Sequence, residues 1–151
     1  MPDDPHKPLR ETVSLLLRAP DDPSALLSVL RPPDDPDLPD AWGLPAGRIR
    51  SGETAEEAAL RTGREKLGVA LGHLRAQARG RVERRDYRLE MVLFECVIVE
   101  GTPTVPQSAE GVTQYSRMKW APPSVLVPAA QRGSLCCRLC LDLEEKPYLT
   151  G

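Results

Sequence analysis

The sequence is poor in aromatic residues. Its 151 residues include one phenylalanine, three tyrosines and two tryptophans. Large aromatic side chains usually supply much of the area that a small protein buries. Any hydrophobic core of this chain must therefore be built mainly from leucine, valine and alanine.

Histidine is also rare, since the chain has only His6 and His73. Two isolated histidines give no support to a Ser–His–Asp hydrolase site. Cys137 and Cys140 have the C-x-x-C spacing of a zinc ligand pair, but no second pair of ligands accompanies them. Because free cysteine is among the most buried residue types, we predict that the cysteines pack in the core.

Long apolar runs and a strong net charge are absent as well. No run approaches the roughly 20 apolar residues of a membrane-spanning helix, and no charged-then-apolar leader opens the sequence. The formal net charge is −2, so no global field favours nucleic acid or a membrane surface. We therefore expect a cytoplasmic protein without a membrane partner, and a nucleic-acid partner is not expected.

The composition that remains is that of a globular protein, with 40% hydrophobic and 28% charged residues. The length favours one domain over residues 1–151, in which residues 1–10 are expected to form a flexible terminus. Sixteen prolines lie mostly in connecting stretches, such as PPDDPDLPD at 32–40. So many prolines exclude helix and central strand there, and we predict an exposed loop.

Short apolar runs predict β-strands at several places in the chain. The predicted strands cover residues 12–18, 26–31, 74–82, 87–99 and 115–120. Apolar residues at helical spacing predict a closing helix over residues 134–145. These patterns alone indicate a mixture of α and β structure.

Residues 47–69, GRIRSGETAEEAALRTGREKLGV, predict a glycine-containing loop followed by one helix. Thr54, followed three residues later by Glu57, forms a capping box, which places the start of the helix at Thr54. Gly68 suits the left-handed turn that ends a helix. Gly63 is unfavourable in the helix interior, where glycine costs about 1 kcal/mol relative to alanine.

This stretch resembles the signature of the Nudix (MutT-like) family. In that signature a glycine, five residues, a glutamate and seven residues precede R-E-U-x-E-E-x-G-U, where U is apolar. The positions that match are Gly47, Glu53, Arg61, Glu65, Gly68 and Val69. Three positions depart from the pattern. Thr62 replaces a glutamate, Gly63 replaces an apolar residue and Lys66 replaces the last glutamate.

The resemblance implies an α/β (α+β) fold, an α/β/α sandwich with a mixed β-sheet between helices. It also implies hydrolysis of a nucleoside diphosphate linked to another moiety, by metal-assisted attack of water on the pyrophosphate. The cofactor it implies is Mg²⁺ or Mn²⁺, held by glutamates of the helix. On this basis Glu65 and Glu53 are the expected metal ligands, and Gly47 is expected to contact the substrate. Lys66, which departs from the signature, is a substrate-binding candidate because its ammonium group suits a phosphate.

The resemblance also suggests the remaining catalytic residues. Arg61 is expected to orient a glutamate, and Glu57 is a candidate to assist it. Family members commonly take a further carboxylate from a loop beyond the signature. Glu110 lies at about that distance, and Glu95, inside an apolar strand, is the other candidate for this carboxylate.

The departures from the signature weaken the expected metal site. At about 100° per residue, positions 62, 65 and 66 lie on one helix face, where the family presents three carboxylates. Here that face carries Thr62, Glu65 and Lys66, and an ammonium group repels a cation. We therefore expect weak metal binding and reduced activity, although substrate phosphates usually supply several ligands of a magnesium ion.

Arginines crowd the predicted hairpin at 74–99. They are Arg75, Arg79, Arg81, Arg84, Arg85 and Arg88. Guanidinium groups suit phosphates, so a basic wall beside a phosphate site is one interpretation, with Arg81 and Arg88 as substrate-binding candidates. The alternative is a solvated hairpin whose arginines are balanced by neighbouring acids.

Three functions remain open, and the sequence favours the first of them over the second, with the third last. The first is a hydrolase of reduced activity. The second is a non-catalytic nucleotide-binding or sensor module, in which the Lys66 ammonium replaces a metal ion as the partner of a ligand phosphate. In both, the partner is a nucleotide or a small molecule linked to a nucleoside diphosphate. The third is a structural or protein-interaction role with a vestigial cleft.

Overall fold

The computed structural model describes residues 6–106 and 115–150, with side chains up to residue 144. The strands in these ranges are β1 (Leu9–Leu16), β2 (Arg18–Ala19), β3 (Asp22–Leu30), β4 (Trp42–Gly43), β5 (Ala46–Arg48), β6 (Ala70–Glu83), β7 (Arg88–Glu100) and β8 (Arg117–Ala121). The helices are α1 (Ala55–Thr62), which continues as a π-helical segment (Gly63–Leu67), a 3₁₀ turn (Pro123–Leu126), α2 (Val127–Gln131) and α3 (Leu135–Thr150). The strands and the closing helix predicted from the sequence are all present, with shifted ends.

The strands form two sheets. The first has the order β5-β1-β7-β6, and it is mixed because β1 and β7 run parallel while the other pairs are antiparallel. In the second, β3 pairs with β2, β4 and β8. Only Leu17 separates β1 from β2, so one continuous stretch of chain contributes to both sheets.

Helices α1 and α3 cover opposite faces of the first sheet. Ala59 of α1 packs in one buried cluster with Phe94, and Leu135 of α3 packs in another with Leu93. Consecutive strand residues point to opposite faces, so β7 supplies both clusters. Burial of one large apolar side chain contributes about 1.5–3 kcal/mol. The expected α/β/α sandwich around a mixed sheet is confirmed.

The helix of the signature begins where the sequence predicts. The Thr54 hydroxyl oxygen accepts from the Glu57 N–H at 3.1 Å, and the Glu57 carboxylate accepts from the Thr54 N–H at 2.9 Å. Beyond Thr62 the helix widens into the π-helical segment, which ends at Gly68 with φ 69°. Gly63 is the first residue of this segment, and it packs closely against β6, since a Cβ there would lie 2.6 Å from Leu71 Cδ1.

The expectation of a flexible terminus over residues 1–10 is wrong from Lys7 onward. Lys7 Nζ lies 2.9 Å from Glu83 Oε2, and Leu9 begins β1. These residues are held because β1 pairs with β7 from its first residue. Residues 1–5 lie outside the described residues, and the single domain over 1–151 stays a prediction.

The cysteines lie in the interior, as predicted. Cys96, Cys136, Cys137 and Cys140 are buried and unbridged. Across residues 6–106 and 115–144, no three His, Cys, Asp or Glu side chains are grouped in a way that suits a metal ion. None of the described helices is long and apolar enough to cross a membrane.

Close approach of α1 to β5 should make Gly47 irreplaceable. A Cβ at Gly47 would lie 2.3 Å from Thr62 Oγ1. We expect Gly47→Ala to lower the free energy of unfolding in urea by about 1–3 kcal/mol. Gly43→Ala is the matched control, since its Cβ would make an ordinary 3.6 Å contact with Cys137 Sγ.

The contact with Thr62 is tested by a double-mutant cycle. Gly47→Ala combined with Thr62→Ala should cost less than the sum of the two single changes, because the second removes the clashing hydroxyl. Strict additivity would contradict the proposed clash.

Candidate functional site

A cavity of about 180 Å³ lies between β5, one face of the first sheet and the start of α3. Thr12, Leu89 and Met91 of the sheet line it, as does Gly47, one of the predicted substrate-binding residues. Its described charged lining residues are five cations and one acid, namely Arg10, Arg31, Arg48, Lys66, Arg84 and Asp37. Since the whole chain has a net charge of −2, positive charge is concentrated here.

Lys66 is fixed at the edge of this cavity. Its ammonium donates a short hydrogen bond to the carbonyl of Ala46 and lies 5.3 Å from the ring centroid of Tyr115. The Tyr115 hydroxyl donates to the same carbonyl at 3.2 Å and accepts from the Ala46 N–H at 3.0 Å. Ala46, the first residue of β5, therefore holds the ammonium at the edge of the cavity, where a bound ligand would contact it.

Arg61 and Glu53 form the tightest ion pair of the signature. Arg61 Nε lies 2.8 Å from Glu53 Oε2, and Arg61 Nη2 lies 2.9 Å from Glu53 Oε1. The Arg50 N–H donates to the same carboxylate at 2.9 Å. Chiefly because of the hydrogen bonds from Arg61, the pKa of Glu53 falls to about 2.

Glu65 lies beside this pair. Its Oε2 is 3.4 Å from Arg61 Nη1 and 3.3 Å from Arg50 Nη2, and 28% of the side chain is exposed. Glu65 does not line the cavity that Lys66 lines. The neighbouring side chains of Glu65 and Lys66 therefore have different surroundings. Glu65 is paired with arginines, and Lys66 borders the cavity.

Thr62 does not share the exposed face of Glu65, contrary to the expectation from helical spacing. It is fully buried, and its hydroxyl donates to the Ala58 carbonyl at 2.7 Å. Two physical reasons account for this. The π-helical segment after Thr62 has more residues per turn than an α-helix, and Thr62 packs directly against Gly47.

The other predicted acids have separate places. The Glu57 carboxylate is engaged in the helix cap. Glu95 pairs with Arg18 at 3.3 Å, and Arg18 also contacts Glu144 at 2.8 Å. Arg18 therefore links Glu95 of β7 to Glu144 of α3. Glu110 lies outside the described residues, and its role stays a prediction.

The structure does not bring Arg81 or Arg88 to the cavity of Lys66. Arg81 lies 3.1 Å from Glu90 and borders a different depression of about 390 Å³ on the α1 side of the sheet. Arg88 Nε donates to the Lys7 carbonyl at 3.3 Å.

The larger depression carries charges of both signs, so we take the smaller, mostly cationic cavity as the candidate site.

Sequence reasoning missed Arg10 and Arg31 and did not single out Arg84 from the other hairpin arginines. Arg10 has a weak signal, since it lies two residues before Thr12 and hence on the same face of a strand. Arg31 directly follows β3, and Arg84 lies in the turn between β6 and β7. Both reach the site only through the packing of elements that are distant in sequence. No local pattern marks them.

The described residues do not fit a divalent cation. Both oxygens of Glu53 accept from Arg61, Glu65 is paired with two arginines, and an ammonium stands where the family has its last glutamate. Mg²⁺ and Mn²⁺ require several oxygen ligands with little competing positive charge. The described part of the site is instead suited to anions.

The Glu53 ion pair should make the fold sensitive to acid. Its carboxyl titrates near pH 4.5 in the unfolded chain and near 2 in the folded one, so the stabilisation is complete above pH 4.5 and lost as the pH falls towards 2. Allowing for solvent screening, we expect a loss of about 1–2 kcal/mol. Urea unfolding at pH 6 and pH 3 measures it. Glu53→Gln should reduce this difference by about that amount while the exposed control Glu56→Gln keeps it, and identical pH dependence in all three proteins would contradict the assignment.

Solved structures of similar fold come from several bacteria. A NUDIX hydrolase from Nitrosomonas europaea is 17% identical with a TM-score of 0.68, and 94% of this chain aligns with 90% of that one. The NUDIX domain of Shewanella oneidensis NrtR, in complex with ADP ribose, is 20% identical with a TM-score of 0.65, covering 99% of this chain and 94% of that one. DR0079 from Deinococcus radiodurans is 25% identical with a TM-score of 0.62, and the alignment covers 89% of this chain and 81% of that one.

A search of curated proteins found no match. The family model of the NUDIX domain matches residues 8–135, which include the signature, both sheets and the start of α3. The expected resemblance is thus confirmed over most of the chain. This protein belongs to the NUDIX domain family.

Proposed function

We propose that this protein binds a nucleoside diphosphate linked to another moiety, with the Lys66 ammonium contacting the phosphates in place of a divalent cation. Members of the family are pyrophosphohydrolases that generally use divalent metals. The observation that carries the proposal is the fixed position of Lys66 at the edge of a mostly cationic cavity.

The charges around Lys66 favour a phosphate ligand. An ammonium group is a compact charge with three donors, and only one of these is needed for the Ala46 carbonyl. Arg48, which is exposed, borders the same cavity. Several fixed cations around a concave surface raise the local concentration of anions.

The pairing of the signature acids supports the same proposal. Glu53 and Glu65 are engaged by arginines, so their negative charges are offset before any ligand enters. The loop from Arg48 to Glu53 is then held in shape by ion pairs within the protein. A phosphate in the cavity meets no uncompensated carboxylate from the signature residues.

ADP-ribose is the first ligand to test, because the NrtR domain of similar fold was crystallised with it. We expect ADP-ribose to bind in the presence of a chelator and in the absence of divalent ions. Lys66→Met should weaken this affinity by about tenfold or more, which corresponds to about 1.4 kcal/mol. Isothermal titration calorimetry measures both.

Two variants serve as controls for Lys66. Lys66→Arg keeps the positive charge and should retain most of the affinity. Arg64→Gln removes a charge from an exposed neighbour on the same helical segment and should have little effect. Chelator-resistant binding that is equal in the wild type and in Lys66→Met would refute the role of Lys66.

Hydrolysis at a reduced rate is the second candidate. It is favoured by the arrangement of Glu53, Arg61 and Glu65, which retains the signature residues in direct contact. Positioning and electrostatics carry most of phosphoryl-transfer catalysis, so an incomplete site still allows some turnover.

A turnover assay separates the two candidates. Phosphate release is measured with ADP-ribose, nucleotide sugars, dinucleoside polyphosphates and nucleoside triphosphates, with Mg²⁺ or Mn²⁺ and an added phosphatase. For a binding module we expect no release above that of Glu65→Gln. Turnover that disappears in Glu65→Gln would establish a hydrolase instead.

A further inference from the structure

We propose that the cavity has a second anion subsite, formed by Arg10 and Arg84, and that the preferred ligand carries a further phosphate besides its pyrophosphate. This inference rests on the proposed function, because it assumes that the pyrophosphate lies near Lys66. It adds the class of ligand, a nucleoside diphosphate derivative with a separate phosphate monoester.

Arg10 and the anchor of Lys66 lie at different levels of strand β1. Lys66 bonds to Ala46, which pairs with Ser14 of β1, whereas Arg10 lies four residues earlier on the same strand. At about 3.3 Å per residue these two levels of the strand are about 13 Å apart. The backbone that anchors Lys66 and the backbone that carries Arg10 therefore lie further apart than the length of one pyrophosphate.

Arg10 is held in a defined position. Its guanidinium carbon lies 3.9 Å from the centroid of the Tyr87 ring, and the Tyr87 hydroxyl donates to Asp37 at 3.2 Å. The stacked face of a guanidinium leaves its N–H groups directed outward along the edge. Arg10 therefore presents donors to the cavity without the entropy cost of ordering a free side chain.

Arg84 approaches from the turn between β6 and β7. Its Nη2 donates to the Gly133 carbonyl at 2.9 Å, directly before the start of α3. Its Nε is buried without a hydrogen-bond acceptor among the described residues. The positive end of the sixteen-residue helix α3 adds to the potential at this place.

Neither arginine is neutralised by an acid. Among the described residues neither Arg10 nor Arg84 forms an ion pair, in contrast to Arg31, which lies 3.3 Å from Asp35. Among the described lining residues Asp37 is the single carboxylate, and it is exposed and accepts from Tyr87, which stacks on Arg10. Two ordered guanidinium groups and one acid leave a net positive charge, which suits a phosphate monoester, whose oxygens accept charge-assisted hydrogen bonds.

The experiment compares ADP-ribose with two derivatives that carry one added phosphate, at the 2′ position of the adenosine or at the 1″ position of the distal ribose. Affinities are measured by calorimetry at constant ionic strength with a chelator present. We expect at least one derivative to bind about tenfold tighter than ADP-ribose.

The variants assign that gain to the subsite. In Arg10→Gln and in Arg84→Gln the gain, taken as the ratio of the affinities for the phosphorylated derivative and for ADP-ribose in the same variant, should fall to less than about threefold. Arg85→Gln is the matched control, since Arg85 is exposed in the same turn and does not line the cavity. Thermal unfolding checks the fold of each variant. If Arg84→Gln unfolds because the contact with Gly133 is lost, the result for Arg10→Gln decides.

The outcomes separate this inference from the proposed function. Lys66-dependent binding of ADP-ribose with no gain from either added phosphate overturns the second subsite and leaves the proposed function intact. A gain that persists in both arginine variants also overturns the subsite. If neither ADP-ribose nor its derivatives bind, the proposed function fails together with the inference.

Discussion

The guanidinium of Arg61 joins three parts of the chain around the signature. It donates to both carboxylate oxygens of Glu53, to the carbonyl of Arg48 by a short hydrogen bond, and it pairs with Glu65. Because 12% of the Arg61 side chain and 16% of that of Glu53 are exposed, this pair is less screened than a surface ion pair. The arginine thereby fixes β5 relative to the helix. The Ala46 carbonyl, and with it the Lys66 ammonium, takes its position from that arrangement.

A fixed ammonium and an exchangeable divalent ion differ as partners of phosphate. A lysine carries half the charge of a magnesium ion and binds through directional N–H donors, so it neutralises a pyrophosphate only in part. Additional cations must then share the anionic charge. Arg48 of β5 and Arg31, which follows β3, border the same cavity and supply positive charge from separate elements of the fold, in addition to the second subsite of Arg10 and Arg84.

The elements of the fold were predictable because they depend on local patterns. The capping box at Thr54 and Glu57, the stop at Gly68 and the apolar periodicity of β6 and β7 are short-range signals, and each is found in the structure. The ends of the strands were less predictable. β1 begins at Leu9 rather than Thr12, because pairing with β7 extends it beyond its apolar run.

The site was only partly predictable, for two physical reasons. Uniform helical geometry placed Thr62 beside Glu65, but the π-helical segment and the contact with Gly47 turn Thr62 inward. The cationic lining depends on tertiary packing that brings Arg10 and Arg84 into the cavity that Lys66 borders, and apart from the spacing of Arg10 and Thr12 no pattern in the sequence indicates it. The role of Lys66 as a charged side chain at the cleft was inferable from the signature alone, whereas its anchor on Ala46 was not.

Two glycines limit which substitutions the signature tolerates. Gly47 packs against the helix, and Gly63 lies within its π-helical segment. Gly63 leaves no room for a side chain because Leu71 fills the space, and Thr62 fills the space beside Gly47. A larger residue at 63 would require a smaller one at 71, and a glutamate at 62 would require a new path for a charged group out of a fully buried position. The substitutions in the helix are thus coupled to residues on the strands. Introducing the full family signature by single substitutions would therefore pass through destabilised variants, because the packing around the helix opposes each step taken alone.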